Sequence, residues 1–351
     1  MKIVIVAGGT GGHIYPGIAV AQAIHQRDPA AEILFVGSEE GLEKDLVGRA
    51  GFQIKLIRSR ALLRKISYQA ISAPFVSLIG FFQAVTLLWQ FKPAKVLSTG
   101  GYASLPVVVA ARLLAIPVFL HEQNVLPGVV NRLTRRLATH CFLTFAESEK
   151  YLTGEVTGNP VRRQIIFADR NSARRKFNLQ DEKMVLVFGG SQGAQHLNQT
   201  IVEALNDRPK NIRIFHIAGK RDYNWVREAT QGKGNGGYQL FNYVYDMADL
   251  LAAADVVVSR AGATAIAEFL VRGLPMILIP FPYAAEDHQR LNAAVMVSLG
   301  AAKMINDQEL NKTSFWLNLN LVIKDYALIA KAAKSNCRLD AAERIVEKLY
   351  A

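Results

Sequence analysis

Gly8-Gly9-Thr10-Gly11-Gly12-His13 lies between a β-branched run, Lys2 to Ala7, and a run with helical apolar spacing. Roughly 180 residues later, after the strand-like Met184 to Phe188, Gly189-Gly190-Ser191-Gln192-Gly193-Ala194 repeats the arrangement. Few folds accommodate the order strand, glycine loop, helix. The glycines let backbone approach a ligand, and the N–H groups of the helix's first turn turn toward it with the positive end of the helix dipole. A chain that does this twice reads as two domains of similar α/β architecture.

The intervening pattern agrees. In the first half helical stretches are expected at 17–26 and 42–49, and strands at 32–36, 53–57, 95–98, 117–120 and 155–157. In the second half a helix at 197–205 is followed by strands near 213–217, 239–243, 256–259 and 276–279. Alternation of this kind implies a doubly wound parallel sheet in each half. Length permits it, since 351 residues suffice for two cores. Gly158-Asn159-Pro160-Val161-Arg162 and the charge-rich Asp169 to Lys176 mark the boundary, giving domains 1–160 and 161–337.

One stretch interrupts the pattern. Residues 66–91 contain no charge, but Pro74, Gly80, several serines and two glutamines make a poor membrane span. Phe75, Leu78, Ile79, Phe82, Val85 and Trp89 share one helix face, with Phe81 and Leu88 extending it. Two readings stand: a buried helix, or one lying on a membrane with Arg58, Arg60, Arg64 and Lys65 toward anionic headgroups. Overall, 41 Lys+Arg against 29 Asp+Glu, a net +12, favours anionic partners. No RNA-binding signature is present, so lipid or a phosphorylated substrate ranks above nucleic acid. Cys141 and Cys337 are far apart and without metal-ligand spacing, and the first strand runs straight into the glycine loop without a signal peptide, so a cytoplasmic protein is expected.

The first loop is neither a dinucleotide fingerprint, because the third glycine position falls on Ile14, nor a P-loop, because no Gly-Lys-Ser/Thr follows. His13 is its only residue able to move a proton near neutral pH. His121-Glu122-Gln123-Asn124 directly follow a strand, at the carboxyl edge where open α/β sheets bind ligands. Ser191 also fits Gly-x-Ser-x-Gly, the nucleophile elbow of a hydrolase, with His288 and Asp255 or Asp246 as partners, but that reading leaves the matching first loop unexplained. In the phosphate-cradle reading Ser191, Gln192 and Gly193 bind a diphosphate. Glu268, early in the helix after the strand 256–259, can accept from two ribose hydroxyls. No Asp-x-Asp pair supports a metal-held sugar nucleotide, and neither metal nor cofactor is expected.

Together Gly8 to His13, His121 to Asn124, Gly158 to Arg162, Gly189 to Ala194, Ala263 to Glu268 and Gln289 resemble, in order and over nearly the whole chain, the MurG family of N-acetylglucosaminyl transferases. The resemblance implies two Rossmann-like domains facing across a cleft, the glycosyltransferase B type, with a last helix within 338–351 packing back on the first domain. It implies inverting transfer of GlcNAc from UDP-GlcNAc to the C4 hydroxyl of MurNAc in lipid I, giving lipid II for peptidoglycan, at the cytoplasmic face of the membrane. By the same matching the donor contacts are Thr10, Gly11, Gly12, Asn124, Arg162, Ser191, Val244, Ala263, Thr264, Ala265, Ile266, Ala267, Glu268 and Gln289. A sugar hydroxyl needs a base within hydrogen-bond reach, and His13 is the first candidate, Glu122 the second. The first domain then takes the acceptor and the membrane, the second the donor.

Overall fold

The computed structural model describes residues 1–39, 41–59, 68–190, 193–234 and 236–351, with backbone alone at 68–75 and 77. The chain divides into two compact units, Met1–Arg162 with Arg338–Ala351, and Arg163–Cys337.

The first unit is built on seven parallel strands: β1 Lys2–Val6, β2 Glu32–Ser38, β3 Gln53–Ile57, β4 Lys95–Ser98, β5 Val118–Glu122, β6 His140–Leu143 and β7 Glu155–Val156. Their order in the sheet is β3-β2-β1-β4-β5-β6-β7. β1 is therefore flanked by β2 and β4, with Val4 paired to Leu34 on one side and Val96 on the other. Every residue of β1 after Lys2 is fully buried, as a central parallel strand covered on both faces requires.

The first helix runs Gly11–Arg27, starting six residues earlier than its apolar spacing predicts. Glycines and Pro16 hide that start in the sequence. A Cβ on Gly17 would stand 3.1 Å from Ile5 Cγ2 and 3.3 Å from Phe35 Cε1, so glycine here lets the helix lie close on the sheet. The helix Ala341–Tyr350 packs against it through buried Ala341, Ala342, Ile345, Val346 and Leu349, one apolar stripe. Tyr350 Oη donates to Asp28 at 2.9 Å and Arg344 to Glu155 at 3.0 Å, tying the end of the chain into the first unit.

The helix Tyr68–Phe91 answers the question left by the apolar stretch. Ala84 and Leu88 are buried, and Phe81, Val85, Leu87 and Phe91 pack beside them on the core. Leu78, Ile79, Phe82 and Trp89 are 54, 44, 61 and 67 % exposed. Most of the expected stripe thus faces outward, and the residues expected only to extend it supply the core contact; the side chain of Phe75, and Arg60, Arg64 and Lys65, lie outside the described residues. Among the described residues no helix is long and apolar enough to cross a membrane.

The second unit repeats the plan with six parallel strands: β8 Lys183–Phe188, β9 Ile212–Ile217, β10 Tyr238–Phe241, β11 Val256–Ser259, β12 Met276–Leu278 and β13 Ala302–Met304. They are ordered β10-β9-β8-β11-β12-β13, the order of the first six strands of the other sheet. Two short strands, β6 and β13, are absent from the sequence reading. Four and three residues give too little periodicity to register against their surroundings.

Candidate active site

In both sheets the order reverses at the strand that opens the unit, between β1 and β4 and between β8 and β11. Adjacent strands there send their connections to opposite faces, so their carboxyl ends part and leave a crevice. The first glycine loop leaves β1 at one such point and Thr99-Gly100-Gly101 leaves β4 beside it, linked by Gly8 N–H to Gly100 O at 3.1 Å. The Thr99 hydroxyl donates to His13 O at 2.7 Å. His13 Nδ1 lies 2.9 Å from Thr99 O and 3.0 Å from Gln123 Oε1, and among the described residues Nε2 makes no hydrogen bond. Gly100 has φ +98°, and a Cβ on it would stand 2.8 Å from His13 Nδ1, so only glycine admits the imidazole.

Two residues outside the sequence reading hold this loop. Glu43 is fully buried, and its Oε1 accepts from Gly9 N at 2.7 Å, Ser38 N at 3.2 Å and Ser38 Oγ at 3.0 Å. A carboxylate in the first turn of the helix Glu43–Arg49 is ordinary, and nothing in the sequence marks this one as reaching a loop 34 residues away. Tyr15, two residues past His13, lies under the Arg162 guanidinium at 3.8 Å from the ring centroid. That contact brings Arg162 to the loop.

His121 to Asn124 carry β5 over the sheet edge. Glu122 is 1 % exposed, its Oε1 accepting from Asn124 N at 2.9 Å and its Oε2 from Gly128 N at 2.9 Å and Asn131 Nδ2 at 2.8 Å. Both oxygens brace the loop 123–128. His121 is wholly buried, and burial pulls its pKa down to about 4, leaving a neutral imidazole between Gly158 O and Gln123.

In the second unit, Ser191 and Gln192 lie outside the described residues; Gly193 closes the loop with N–H to Gly190 O at 3.0 Å. Under it, Asn198 Nδ2 donates to Ala218 O at 3.0 Å and Asp222 Oδ2 at 2.9 Å, while His216 Nε2 lies 2.9 Å from Asn198 Oδ1. Val244 sits in the connection after β10. Ala263, Thr264, Ala265, Ile266, Ala267 and Glu268 form the first turns of the helix Ala263–Arg272, entered from β11 through Gly262, and Glu268 is 7 % exposed. Arg260 reaches Asp307 at 2.6 Å and the carbonyls of Ile279 and Pro280 at 3.2 and 3.3 Å, and Gln289 Oε1 accepts from Phe281 N at 3.0 Å. Loops after β8, β11 and β12 are thus fastened at the carboxyl edge. Among the described residues no group of three His, Cys, Asp or Glu could hold a metal ion.

The hydrolase alternative does not survive this geometry. Asp255 precedes β11, and Val256 pairs with Val185, so Asp255 lies at the amino edge, opposite the glycine loop, bound by Arg170 and Arg174. Asp246 Oδ1 accepts from Ala248 N instead, and His288 Nδ1 faces Ala285 O.

Residues 3–143 match the glycosyltransferase family 28 N-terminal domain, and residues 184–347 its C-terminal domain. The chain is a MurG-type member of glycosyltransferase family 28. It is 38 % identical to the UDP-N-acetylglucosamine--N-acetylmuramyl-(pentapeptide) pyrophosphoryl-undecaprenol N-acetylglucosamine transferase of Desulforamulus reducens, over 98 % of this chain and 96 % of that one. The enzyme of the same name from Citrifermentans bemidjiense is also 38 % identical, over 99 % of both chains. Among solved structures, Acinetobacter baumannii MurG superposes with a TM-score of 0.76 at 28 % identity, over 99 % of both. The two parallel α/β sheets of family 28 are those of the glycosyltransferase B type.

Proposed function

We propose that His13 is the general base of the family reaction. That reaction is transfer of N-acetylglucosamine from UDP-GlcNAc to lipid I, which yields lipid II for peptidoglycan. The observation that carries the role is the imidazole held through Nδ1 at a switch point of the first sheet, with Nε2 making no hydrogen bond among the described residues. In the step, Nε2 takes the proton of the MurNAc C4 hydroxyl. The oxygen forms its bond to C1 of the donor sugar as the bond from C1 to the diphosphate breaks, and UDP leaves with the electron pair. Glu122, with both oxygens engaged, holds the loop that carries Asn124 and is not the base.

The donor belongs to the second unit. There the diphosphate is assigned to the loop 189–194 and to the first-turn N–H groups of the helix Ala263–Arg272, and the ribose hydroxyls to Glu268. Arg162 adds fixed positive charge where negative charge grows on the leaving group. Val244 and Gln289 are the second unit's remaining assigned nucleotide contacts, and Thr10, Gly11, Gly12 and Asn124 are those assigned in the first unit.

The first unit meets the bilayer in which lipid I is embedded. Leu78, Ile79, Phe82 and Trp89 stand exposed, and the neighbouring helices add exposed Val109, Leu113, Val129 and Leu133 among Arg112, Arg132 and Arg136. The protein is peripheral, on the cytoplasmic face.

UDP release from UDP-GlcNAc with a lipid I analogue tests the base assignment, and a His13→Ala protein that turns over normally sinks it. Replacing Leu78 and Phe82 with serine should cut binding to anionic vesicles about tenfold or more while turnover of a water-soluble acceptor persists. Unchanged vesicle binding would remove this surface from the membrane.

A further inference from the structure

Between β4, β5 and the first loop lies a buried chain of hydrogen bonds that the transfer reaction, as described above, does not use. It ends at each side on a backbone carbonyl, a group that can only accept. At one end Gly158 O lies 3.2 Å from His121 Nε2, so Nε2 carries the proton of that ring and Nδ1 presents a lone pair. Gln123 is 2 % exposed, and the amide atom 3.0 Å from His121 Nδ1 must therefore be its NH₂. Thr99 O at 2.7 Å demands the same orientation, since it too can only accept from Nε2. The remaining atom, Oε1, faces His13 Nδ1 at 3.0 Å, with Thr99 O also 2.9 Å from that nitrogen. Two acceptors converge on His13 Nδ1, and a proton must sit there.

We propose that Gln123, itself locked by His121, is a positioning residue for His13: the relay from Gly158 O through His121 and Gln123 holds His13 with Nδ1–H inward and the Nε2 lone pair outward. This rests on His13 being the base. The bare tautomer with its proton on Nε2 could not accept a hydroxyl proton there, so the relay selects the competent form before substrate arrives. It also answers the charge that forms. Once Nε2 is protonated, Nδ1–H donates to Oε1 and Thr99 O as a charge-assisted bond, the stronger kind.

Other charged groups nearby are engaged elsewhere. Glu122 is bonded to Asn124, Gly128 and Asn131, Glu43 to Gly9 and Ser38, and Arg162 lies on Tyr15. His121 is the one titratable side chain in the relay besides His13, and its burial keeps it neutral.

Full-length protein labelled with ¹⁵N-histidine tests the tautomer directly. Two-bond proton–nitrogen correlation spectra, with His13 assigned by its loss in His13→Gln, should show neutral His13 protonated at Nδ1. The Nε2–H form would overturn the proposal whatever the activity of any variant. The second arm is the pH profile of kcat/KM for UDP release with a lipid I analogue. Gln123→Glu, which places a carboxylate against Nδ1–H, should move the acid limb up by about one pH unit, and Gln123→Leu should move it down by about half a unit. In Gln123→Leu kcat should fall about tenfold, the worth of one lost hydrogen bond, with the KM for UDP-GlcNAc within about twofold. Variants that lose amplitude with an unmoved limb would make Gln123 a packing residue only. If His13→Gln keeps its activity, the base assignment falls while the tautomer measurement still stands, so the two failures are separable.

Discussion

The two glycine loops leave equivalent strands of equivalent sheets, yet they are held in different ways. In the first, the amide of Gly9 is taken by the buried Glu43 carboxylate and the sixth position is His13, tied to Thr99 and Gln123. In the second, Gly193 closes on Gly190 and the sixth position is Ala194, packed in the core with no side chain able to move a proton. A buried carboxylate beside a loop disfavours a second anion there, while a loop with no such carboxylate bonded to it among the described residues keeps its dipole for one. The lesson is that strand, loop and helix supply only the platform. On the proposed assignment, what stands behind the loop decides whether it handles a proton or a phosphate.

Making the first loop like the second should have the largest effect. His13→Ala should lower kcat about 10²- to 10⁴-fold, the usual range for losing a general base, with little change in the KM for UDP-GlcNAc; a raised KM at normal kcat would make His13 a donor contact rather than the base. Next, Glu268→Ala in the second unit should raise the KM for UDP-GlcNAc about 10- to 100-fold, as expected for losing hydrogen bonds to a carboxylate. A deoxyribose analogue, which lacks a hydroxyl for the carboxylate, should lose less from Glu268→Ala than UDP-GlcNAc does, and equal loss with both would show that Glu268 does not read the ribose hydroxyls.

Glu43→Ala should destabilise the protein by about 1–3 kcal/mol in urea unfolding, because it leaves the half-buried Gly9 amide and the buried Ser38 amide and hydroxyl without Glu43. A neutral outcome would mean that the first loop needs no latch and that the contrast with the second is accidental.

The most gradual effect, spread over several units of pH, comes from the buried imidazole that each unit carries. His121 is held neutral down to about pH 4 and His216 down to about 3, both by burial. Unfolded, each titrates near the ordinary histidine value of about 6.5. Between those values the unfolded chain binds the extra proton, so stability is complete above about 6.5 and falls as pH drops, at up to about 1.4 kcal/mol per pH unit for each group. Urea midpoints from pH 7 to 4.5 measure this, and His216→Gln should flatten the slope; an unchanged slope would show that His216 is not the group responsible.

Much of the fold was legible because parallel strands buried on both faces write continuous apolar runs, and β1, β8 and β11 do so plainly. The strand order was not. Which neighbours β1 and β4 take depends on crossovers that no local pattern records, and that order places the two loops at switch points. The helix Tyr68–Phe91 makes the same point in reverse: periodicity found its apolar residues, and only packing on the sheet showed that Ala84 and Leu88 face in while Phe82 and Trp89 face out.

By itself, then, the sequence determined the twofold α/β plan, the glycine loops and the residue types able to move a proton or meet a diphosphate, because these are written in short stretches of adjacent residues. Tertiary structure alone decided which histidine nitrogen faces outward, that Glu122 braces a loop, and that Glu43 and Gln123 stand behind the first loop. Those facts depend on contacts between residues 34, 86 and 110 positions apart, set by the strand order and by carbonyls whose direction no side-chain pattern encodes.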